Sequence, residues 1–335
     1  MRNNEKKGAL MNVVIIGLGS MGRRRLRILK QNDQVGITVA VEDNKKRRNQ
    51  ISEEYHIKCY EKVDDIQECI DCAFVCTPPI THADLIKRCL EKDWHVFTEI
   101  SLVNDEYREN LELSKKKNKV FFLSSTFLYR EEIRYIKKMV ENNDNLLVYN
   151  YHVGQYLPDW HPWESIKDFF VANRKTNGCR EILAIELPWI QRVFGKIKEI
   201  DVVKRKISNL EINYDDTYLL RIVHENGNIG NVIVDLVSRQ ATRLLELFNE
   251  NIYIRWEGTP DTLKFKNIVS GEMEQFVLGT YIHETGYANY INEYAYIKEV
   301  EEFFKVIEGK KECSYGIIED LETIKWIDKI ESEEE

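Results

Sequence analysis

The stretch Gly17-Leu-Gly-Ser-Met-Gly22 decides the fold, because it follows directly on the apolar run Val13-Val-Ile-Ile16 and opens a segment with helical spacing. A first glycine here permits a tight turn, a second lets the backbone approach a pyrophosphate, and a third lets helix and strand pack closely. The N–H groups at the helix start would face the phosphates, whose negative charge the helix dipole favours. The pattern predicts a dinucleotide site formed by Gly17, Gly19, Ser20, Met21 and Gly22.

An acidic pair follows the second predicted strand, Gly36-Ile-Thr-Val-Ala-Val41. A carboxylate there accepts hydrogen bonds from the ribose hydroxyls and repels a 2′-phosphate. Asp43, with Glu42 beside it, therefore favours NAD over NADP, although Lys45 and Lys46 lie close enough to weaken that preference. The alternative interpretation of the glycine pattern is a helix–strand junction that needs small residues and binds no ligand.

The first 125 residues alternate short apolar runs with segments of helical period. Such alternation is typical of βαβ units, and strands that are apolar throughout are typical of a parallel sheet with both faces covered. The sequence therefore predicts an α/β fold that begins with a doubly wound parallel sheet. After the second strand, the predicted elements are the helix Asn44–Tyr55, a strand ending at Cys76, the helix Thr81–Lys92, the strand His95–Thr98, the helix Asp105–Lys117 and the strand Val120–Ser124.

The pattern changes after about Ser125. A helix over Arg130–Glu141 and a strand over Leu146–Val153 precede an aromatic loop, Gln155–Glu164, and a helical stretch over Arg180–Phe194. Short strand-like runs separated by turn signals then predict an antiparallel meander between about residues 200 and 277. Two closing helices are predicted over about Tyr290–Glu308 and Ile317–Ile330.

Charge and composition exclude several classes of protein. The 335 residues include 48 Lys+Arg and 56 Asp+Glu, a net charge of −8, whereas nucleic-acid binding needs a basic surface. The apolar runs are far too short to span a bilayer and Met1–Lys7 precedes no signal-peptide core, so we expect a cytoplasmic protein without a membrane partner. Seven cysteines are too few for a disulfide scaffold, and the pair Cys69 and Cys72 has no second metal-ligand pair. We expect reduced, buried thiols and no metal site.

Four further stretches form an ordered pattern. Thr77-Pro-Pro-Ile-Thr-His82 is a Thr-Pro-x-x-x-His turn, and Leu90-Glu-Lys-Asp-Trp-His-Val-Phe-Thr-Glu99 ends a helix and adds a strand. Glu299–Gly309 and Asp320–Trp326 are helical segments near the end of the chain. Together, and in this order, they resemble the glucose–fructose oxidoreductase/inositol dehydrogenase family (Gfo/Idh/MocA) over nearly the whole chain.

The resemblance implies an N-terminal Rossmann domain, residues 1–125, and a C-terminal α/β domain, residues 126–335, with an open, mostly antiparallel sheet. Homodimers or homotetramers would be built on that sheet. It also implies that Thr77 and Pro78 line the nicotinamide side of the cofactor, with His82 and Glu99 near it.

Three positions depart from the family's pattern. Its Glu-Lys-Pro tripeptide, whose lysine commonly hydrogen-bonds the reacting hydroxyl, is Glu99-Ile100-Ser101 here, and its His-x-x-Asp pair falls at Ile185 and Pro188. Isoleucine cannot exchange a proton, and proline also removes a backbone N–H. Because hydride transfer at a carbinol needs a proton donor or acceptor, either other residues supply it or the chain is not a dehydrogenase of the usual kind.

The aromatic loop and the helix beside the missing histidine supply replacement candidates. We expect His161, Tyr156 and Glu186 as catalytic candidates. The alternatives are that His161 is a hydrogen-bonded structural imidazole and that Glu186 is a paired carboxylate on the helix surface.

The same loop supplies candidate substrate contacts, Asp159 and Trp160. Sugars suit such a site, because their ring faces stack on indoles and carboxylates accept protons from their hydroxyls. The alternative is that Trp160 and Trp163 anchor the loop to the core.

The leading hypothesis is an NAD-dependent oxidoreductase that transfers a hydride to or from a carbinol of a sugar, nucleotide-sugar or sialic-acid-like small molecule. His161 or Tyr156 would replace the missing lysine as proton relay. A second hypothesis is an enzyme that holds NAD tightly and oxidises the sugar transiently to ease an elimination or hydrolysis. A third is a non-catalytic NAD- or sugar-binding protein, which the three apolar replacements favour.

Overall fold

The computed structural model describes residues 10–162, 165–276, 278, 281–284 and 291–332. The chain divides into two compact units. The N-terminal unit comprises the residues up to Ser124 together with a returning segment, Glu299–Ile318, and the second unit comprises Ser125–Lys298 and the residues from Glu319 onward.

Six described strands form a parallel sheet in the N-terminal unit, in the order β3-β2-β1-β4-β5-β6. The strands are β1 (Met11–Ile16), β2 (Val35–Val41), β3 (Cys59–Tyr60), β4 (Cys72–Val75), β5 (His95–Thr98) and β6 (Phe121–Leu123). The helices between them are α1 (Ser20–Lys30), α2 (Lys45–Tyr55), α3 (His82–Glu91) and α4 (Tyr107–Lys117). The strand order reverses at β1, which is where such sheets bind nucleotides. The predicted α/β fold with a parallel N-terminal sheet is confirmed.

Aromatic side chains fill one side of this sheet. Phe74, Phe97 and Phe122 stack across three neighbouring strands, with ring centroids 4.7 and 5.3 Å apart. Phe303, from the returning segment, packs edge-on against Phe74 at 5.4 Å and is fully buried. The returning segment therefore completes the core of the N-terminal unit.

Eight described strands form the sheet of the second unit, in the order β14-β13-β12-β11-β7-β10-β9-β8. The strands are β7 (Val148–Gly154), β8 (Ile197–Arg205), β9 (Thr217–His224), β10 (Ile229–Asp235), β11 (Thr242–Phe248), β12 (Tyr253–Trp256), β13 (Lys264–Lys266) and β14 (Met273–Gln275). The remaining helices are α5 (Glu131–Glu141), α6 (Gly178–Phe194), α7 (Glu293–Ile307) and α8 (Ile317–Ser332). α5 and α6 belong to the second unit, whereas α7 continues from Glu299 into the returning segment and α8 begins at the end of that segment. Tyr290, the predicted start of one closing helix, lies outside the described residues.

The sheet is mostly antiparallel, but it is not the simple meander that we predict from local turn signals. β7 lies between β10 and β11 and runs parallel to β10, with Val148 opposite Ile229 and Gly154 opposite Asp235. Turn residues indicate only hairpins between strands that follow each other in the sequence. β7 is separated from β8 by α6 and pairs with strands that are distant in the sequence. The carboxyl ends of β7 and β10 therefore meet at one edge of the sheet.

Helix α6 is continuous through Pro188, so the proline does not end it. The helix is capped by Asn177, whose side chain accepts a hydrogen bond of 2.8 Å from the Arg180 N–H. Pro188 and Glu186 are both buried, although a helix of this length usually keeps its carboxylates on the solvent side.

The cysteines follow the expectation of burial in part. Cys72, Cys76, Cys89 and Cys179 are buried, whereas Cys69 is exposed, so the prediction of burial is wrong for Cys69. Its neighbourhood is a surface turn before β4, where no apolar partner covers the thiol. Within the described part of the chain, no helix combines the length and apolar character needed to cross a bilayer.

Candidate functional site

The glycine loop between β1 and α1 leaves room for a phosphate group. Gly17 has a φ of +89°, which L side chains rarely adopt, and a Cβ there would meet the Cγ2 of Thr77 at 2.8 Å. A Cβ on Gly22 would overlap the carbonyl oxygen of Gly17. A Cβ on Gly19 would meet no atom within 4 Å, so the space above it is open. This combination fits a dinucleotide whose pyrophosphate approaches the backbone at Gly19.

The start of α1 offers backbone donors to an anion. The helix begins at Ser20 with Gly19 as its N-cap, and neither a capping side chain nor an acidic first-turn residue is present there. The N–H groups of Ser20, Met21 and Gly22 consequently have no acceptor from within the helix. A phosphate would satisfy these donors and interact favourably with the helix dipole.

The two acidic residues after β2 have different environments: Glu42 is buried and hydrogen-bonded, and Asp43 is exposed. Glu42 is 3% exposed, and its carboxylate accepts hydrogen bonds from the backbone N–H groups of Leu18 at 2.9 Å and Asn44 at 3.0 Å. Arg47 pairs with the same carboxylate at 3.2 Å. The Asp43 side chain is exposed and makes no hydrogen bond or ion pair with the described residues. Glu42 therefore holds the glycine loop, and Asp43 keeps its carboxylate available for a ribose.

The turn after β4 brings Thr77 against the glycine loop and locks it with His82. The Nε2 of His82 donates to the Thr77 carbonyl oxygen at 2.8 Å, so its Nδ1 is an acceptor, with Ser101 Oγ at 3.2 Å as its donor. Thr98 Oγ1 lies 3.3 Å from the same nitrogen and donates to the Glu99 carbonyl oxygen. Burial lowers the pKa of His82 to about 4, which keeps the ring neutral at pH 7. His82 fixes the turn that carries Thr77 and Pro78, and a neutral, enclosed ring is poorly suited to proton relay.

Glu99 takes part in a buried charge cluster of the N-terminal unit. Arg25 is fully buried, with its Nε 2.6 Å from Glu99 and its Nη2 2.7 Å from Glu299. Ser124 Oγ lies 3.1 Å from both that Nη2 and the Glu299 carboxylate. Burial alone would lower the pKa of Arg25, but the two carboxylates outweigh it and raise that pKa. Arg25 is therefore a structural charge of the N-terminal unit and not an anion-binding group on its surface.

Two loops leave the same edge of the second unit's sheet. They follow Gly154 at the end of β7 and Asp235 at the end of the parallel strand β10. The backbone N–H groups of Gln155 and Leu157 donate to the carbonyl oxygens of Asp235 at 3.2 Å and Leu236 at 2.9 Å. A Cβ on Gly154 would overlap the Asp235 carboxylate, so this approach requires glycine. The two loops form one joined surface.

The start of α6 lies against these loops. A Cβ on Gly178 would meet the side chain of Leu236 at 3.0 Å and that of Leu157 at 3.6 Å. The first turn of α6, which contains Glu181, is therefore held at the same edge of the sheet as both loops.

In the aromatic loop, Tyr156 stacks with an arginine, whereas the indole nitrogen of Trp160 is buried. The guanidinium Cζ of Arg239 stacks 3.6 Å from the centroid of the Tyr156 ring. The Trp160 Nε1 is buried and has no hydrogen-bond acceptor among the described residues. A buried indole donor normally has an acceptor, so a hydrogen-bonding ligand would complete this position. Asp159 is exposed, and its carboxylate makes no hydrogen bond or ion pair with the described residues. Trp163 lies outside those residues.

His161 has an aromatic rather than an open environment. Its ring stacks on Phe169 with the centroids 4.1 Å apart. Together with Leu157 and Phe169 it lines a cavity of about 10 Å³, which has room for about one water molecule. This cavity is too small for a sugar.

Glu186 is a buried carboxylate with a full set of partners. Tyr151 donates to its Oε2 at 2.7 Å, Trp189 donates to the same oxygen at 2.5 Å, and Arg243 forms an ion pair with Oε1. The interpretation of Glu186 as a helix-surface carboxylate is therefore wrong, because the residue is 0% exposed. A carboxylate whose oxygens are occupied by three donors keeps little hydrogen-bonding capacity for a substrate.

Residues 11–125 match the Gfo/Idh/MocA family model, which is described as an oxidoreductase family with an NAD-binding Rossmann fold. The N-terminal domain belongs to the Gfo/Idh/MocA oxidoreductase family. It is an NAD-binding Rossmann fold, in agreement with the open glycine loop, and the predicted family resemblance and cofactor are confirmed.

Solved structures of Gfo/Idh/MocA type share the fold of the chain. UDP-N-acetylglucosamine 3-dehydrogenase from Acidithiobacillus ferrooxidans is 14% identical, with a TM-score of 0.74 over 96% of this chain and 97% of that one. The myo-inositol 2-dehydrogenase from Lactobacillus plantarum is 17% identical, with a TM-score of 0.74 over 96% of each chain. Levoglucosan dehydrogenase in complex with NADH is 16% identical, with a TM-score of 0.76 over 96% of this chain and 95% of that one. No curated protein sequence matches the chain.

The positions at which the chain departs from the Gfo/Idh/MocA pattern carry apolar side chains in the structure as well. Ile100 and Ile185 are partly exposed, and Pro188 is buried within α6. None of these side chains can exchange a proton, so any acid–base residue must come from elsewhere.

Sequence reasoning missed Glu181. Its Oε2 is buried without a hydrogen-bond partner among the described residues, and burial raises the pKa of Glu181 to about 8. A carboxyl group that titrates near neutral pH suits general acid–base work. The sequence signal that could have identified Glu181 is its spacing. It precedes Ile185 by four residues and therefore lies on the same face of the helix.

Proposed function

We propose that this protein is an NAD-dependent oxidoreductase that transfers a hydride to or from a carbinol of a sugar, nucleotide-sugar or sialic-acid-like substrate. The observation that carries the proposal is the glycine loop, with open space at Gly19 and unused N–H donors at Ser20 and Met21. Bound NAD supplies the hydride acceptor or donor. The family match over residues 11–125 supports the same conclusion.

Support for a sugar-type substrate comes from the second unit and from related proteins. Trp160 offers an unused buried donor and Asp159 an exposed carboxylate, which are groups that bind hydroxyls. The three similar structures are named for carbohydrate or polyol substrates. In this proposal Asp159 and Trp160 contact the substrate.

Several residues would hold and orient the cofactor. Asp43 would accept hydrogen bonds from the ribose hydroxyls, while Glu42 holds the loop beneath it. Thr77 and Pro78 would line the nicotinamide side. His82 would act by holding their turn and Glu99 through its ion pair with Arg25.

Glu181 is the acid–base residue that we favour for the carbinol. A protonated carboxyl can donate to a carbonyl oxygen, and the carboxylate can accept the hydroxyl proton in the reverse direction. Tyr156 and His161 remain proposed relays, because both lie in the loop that joins the same sheet edge. We rank Glu186 below these residues because its carboxylate is already held by three donors.

We also propose that a second copy of the chain covers the open face of the eight-stranded sheet. Apolar side chains of neighbouring strands are exposed there: Val203 54%, Leu219 48%, Ile229 43%, Ile233 37% and Phe248 37%. Monomeric proteins seldom leave so many neighbouring apolar side chains in water. A homodimer or homotetramer would remove them from solvent.

The test is cofactor binding followed by turnover. NADH fluorescence titration should give saturable binding in the wild type and none in Gly19→Trp, which fills the open space above the loop. A panel of sugars and nucleotide-sugars with NAD should then show NADH formation that Glu181→Gln reduces about 100-fold or more, since about 100-fold is the lower end of the usual contribution of a general acid–base group.

Two outcomes would contradict the proposal. Absence of NADH and NADPH binding in the wild type would remove the cofactor role altogether. Tight cofactor binding without turnover across the panel would favour the non-catalytic binding protein, which the apolar Ile100, Ile185 and Pro188 already recommend as the second candidate.

A further inference from the structure

Arg239 lies in the loop between β10 and β11, with an exposed side chain stacked on the Tyr156 ring. A distance of 3.6 Å from Cζ to the ring centroid is a close cation–π contact. Stacking uses the face of the guanidinium and leaves the N–H groups at its edge free to bind in the plane.

Among the described residues, Arg239 lacks the carboxylate partner that six other arginines of this unit have. Arginines with a carboxylate partner are Arg130, Arg180, Arg192, Arg221, Arg243 and Arg255. Arg239 has no carboxylate within 4.0 Å in the described ranges. The chain as a whole carries a net charge of −8, so the exposed guanidinium of Arg239 is a local positive charge on an acidic protein. An arginine edge of this kind matches the planar, two-oxygen geometry of a carboxylate or phosphoryl group.

The loop that carries Arg239 is held in place by Asp235. One carboxylate oxygen accepts from the backbone N–H groups of Val237 at 2.9 Å and Ser238 at 2.7 Å. The other accepts from Ser238 Oγ at 2.9 Å and lies 2.7 Å from the Nε2 of His152. Four contacts to one carboxylate restrict the start of this loop, so less conformational entropy is lost when a ligand binds.

Tyr156 is fixed by the same surface. The backbone N–H groups on either side of it, at Gln155 and Leu157, donate to Asp235 and Leu236. Four residues further along is Trp160, with its buried Nε1 that lacks an acceptor among the described residues. The two loops therefore carry an exposed, stacked guanidinium and a buried indole donor, and both kinds of group bind anionic oxygen.

We propose that Arg239, stacked on Tyr156, binds an anionic group of the substrate, a carboxylate or a phosphoryl group. This inference rests on the proposed function and narrows its substrate class to acidic or phosphorylated sugars. Arg239 is a specificity residue in this scheme and exchanges no proton.

Matched neutral and anionic probes test the inference. Dissociation constants for glucose, glucuronate and glucose 6-phosphate are measured by ligand-detected NMR, with and without saturating NAD. One anionic probe should bind the wild type about 10- to 100-fold more tightly than glucose, the range of a charge-assisted hydrogen-bond pair. Preference for glucuronate assigns a carboxylate, and preference for glucose 6-phosphate assigns a phosphoryl group.

Variants distinguish a specific effect of the Arg239 side chain from the effect of the total positive charge. Arg239→Gln should bring the anionic probe to the affinity of glucose and leave glucose binding unchanged. Arg239→Lys keeps the charge without the planar fork, so it should retain only part of the preference. Lys266→Gln, which removes one positive charge from exposed β13, should behave as the wild type.

Equal binding of all three probes by the wild type would overturn the inference, as would a preference that survives in Arg239→Gln or is lost equally in Lys266→Gln. The proposed function fails differently. If NADH does not bind but the anionic preference and its loss in Arg239→Gln persist, the oxidoreductase assignment falls and the anion site stands.

Discussion

The carboxylate of Glu42 accepts a 2.9 Å hydrogen bond from the backbone N–H of Leu18, which ties the end of β2 to the glycine loop. Leu18 lies between Gly17 and Gly19, so this bond fixes the backbone that would approach a pyrophosphate. The neighbouring carboxylate of Asp43 makes no such bond to the described residues. Two adjacent acids therefore have different tasks, and substitutions can separate them.

Glu42→Gln should weaken NADH and NADPH binding by a similar factor, because it loosens the loop that both cofactors use. Asp43→Asn should shift the ratio of NADH to NADPH affinity toward NADPH by about tenfold, since it removes the charge that repels a 2′-phosphate. Fluorescence titration of both variants with both cofactors measures the two effects. If the ratio of NADH to NADPH affinity changes in Glu42→Gln and not in Asp43→Asn, Glu42 rather than Asp43 is the residue that binds the ribose.

Arg25→Met should destabilise the protein by about 3–5 kcal/mol, because Glu99 and Glu299 would remain buried without their guanidinium. Adding Glu299→Gln should recover part of that loss by removing one of the stranded charges. Urea denaturation of the single and double variants gives the comparison. Arg47→Met, which removes a 41%-exposed partner of Glu42, is the control and should cost much less.

Glu181→Gln should become more stabilising as the pH rises. Burial raises the folded-state pKa of Glu181 to about 8, so its contribution to stability is complete below the unfolded value near 4.3 and is lost as the pH rises to about 8. The melting temperature of Glu181→Gln minus that of the wild type should therefore increase from pH 5 to pH 9. Glu322→Gln, on the exposed face of α8, should give a flat difference.

His82→Gln should reduce the loss of stability in acid. Burial lowers the folded-state pKa of His82 to about 4, so stability falls as the pH drops from about 6.5 toward 4, where only the unfolded chain binds the proton. Thermal unfolding at several pH values measures the slope for variant and wild type. An unchanged slope in His82→Gln, or an equal change in the exposed His56→Asn, would contradict this assignment.

Leu219→Lys should shift the protein from a dimer or tetramer to a monomer. Its side chain is 48% exposed on the open sheet face, opposite Ile233 on the neighbouring strand. A lysine there would place a charge in the proposed interface. Light scattering coupled to size exclusion measures the mass. Ile318→Lys replaces a 52%-exposed residue of α8 and should leave the assembly unchanged, whereas a monomeric wild type would reject the interface.

The N-terminal fold could be predicted because its signals are local. Five of the six described strands of the parallel sheet are short apolar runs, and the glycine loop follows β1 directly. The observed strand His95–Thr98 has the predicted bounds, and the other predicted strands differ by a few residues at their ends. The two-residue strand Cys59–Tyr60 was not predicted, because it is too short to show a pattern.

Long-range pairing explains most of what the sequence did not reveal. A run of three arginines suggests a solvated surface, yet Arg25 is buried because its partners lie 74 and 274 residues away. Glu186 is similar, since Arg243 on β11 neutralises it from 57 residues away. The spacing of hydrophobic residues along the chain does not show which charged residues will pair over long distances. A charged residue is buried only where such a partner is available.

The candidate site was predictable in its glycine loop and only partly in the second unit. The aromatic loop suggested Tyr156 and Trp160 as contacts, but the pairing of Tyr156 with Arg239 depends on β7 lying beside β10. That adjacency is not encoded in any turn signal. Glu181 was overlooked because its significance comes from desolvation, which only the packed helix shows.

The returning segment also has a consequence for biosynthesis. A ribosome releases the six strands of the first sheet long before it makes Phe303, whose ring occupies the aromatic layer over Phe74 and Phe97. The nascent N-terminal unit therefore keeps an unfilled apolar gap, and Arg25 lacks one of its two acidic partners, until the returning segment has been translated. Such a chain is a natural client for chaperones.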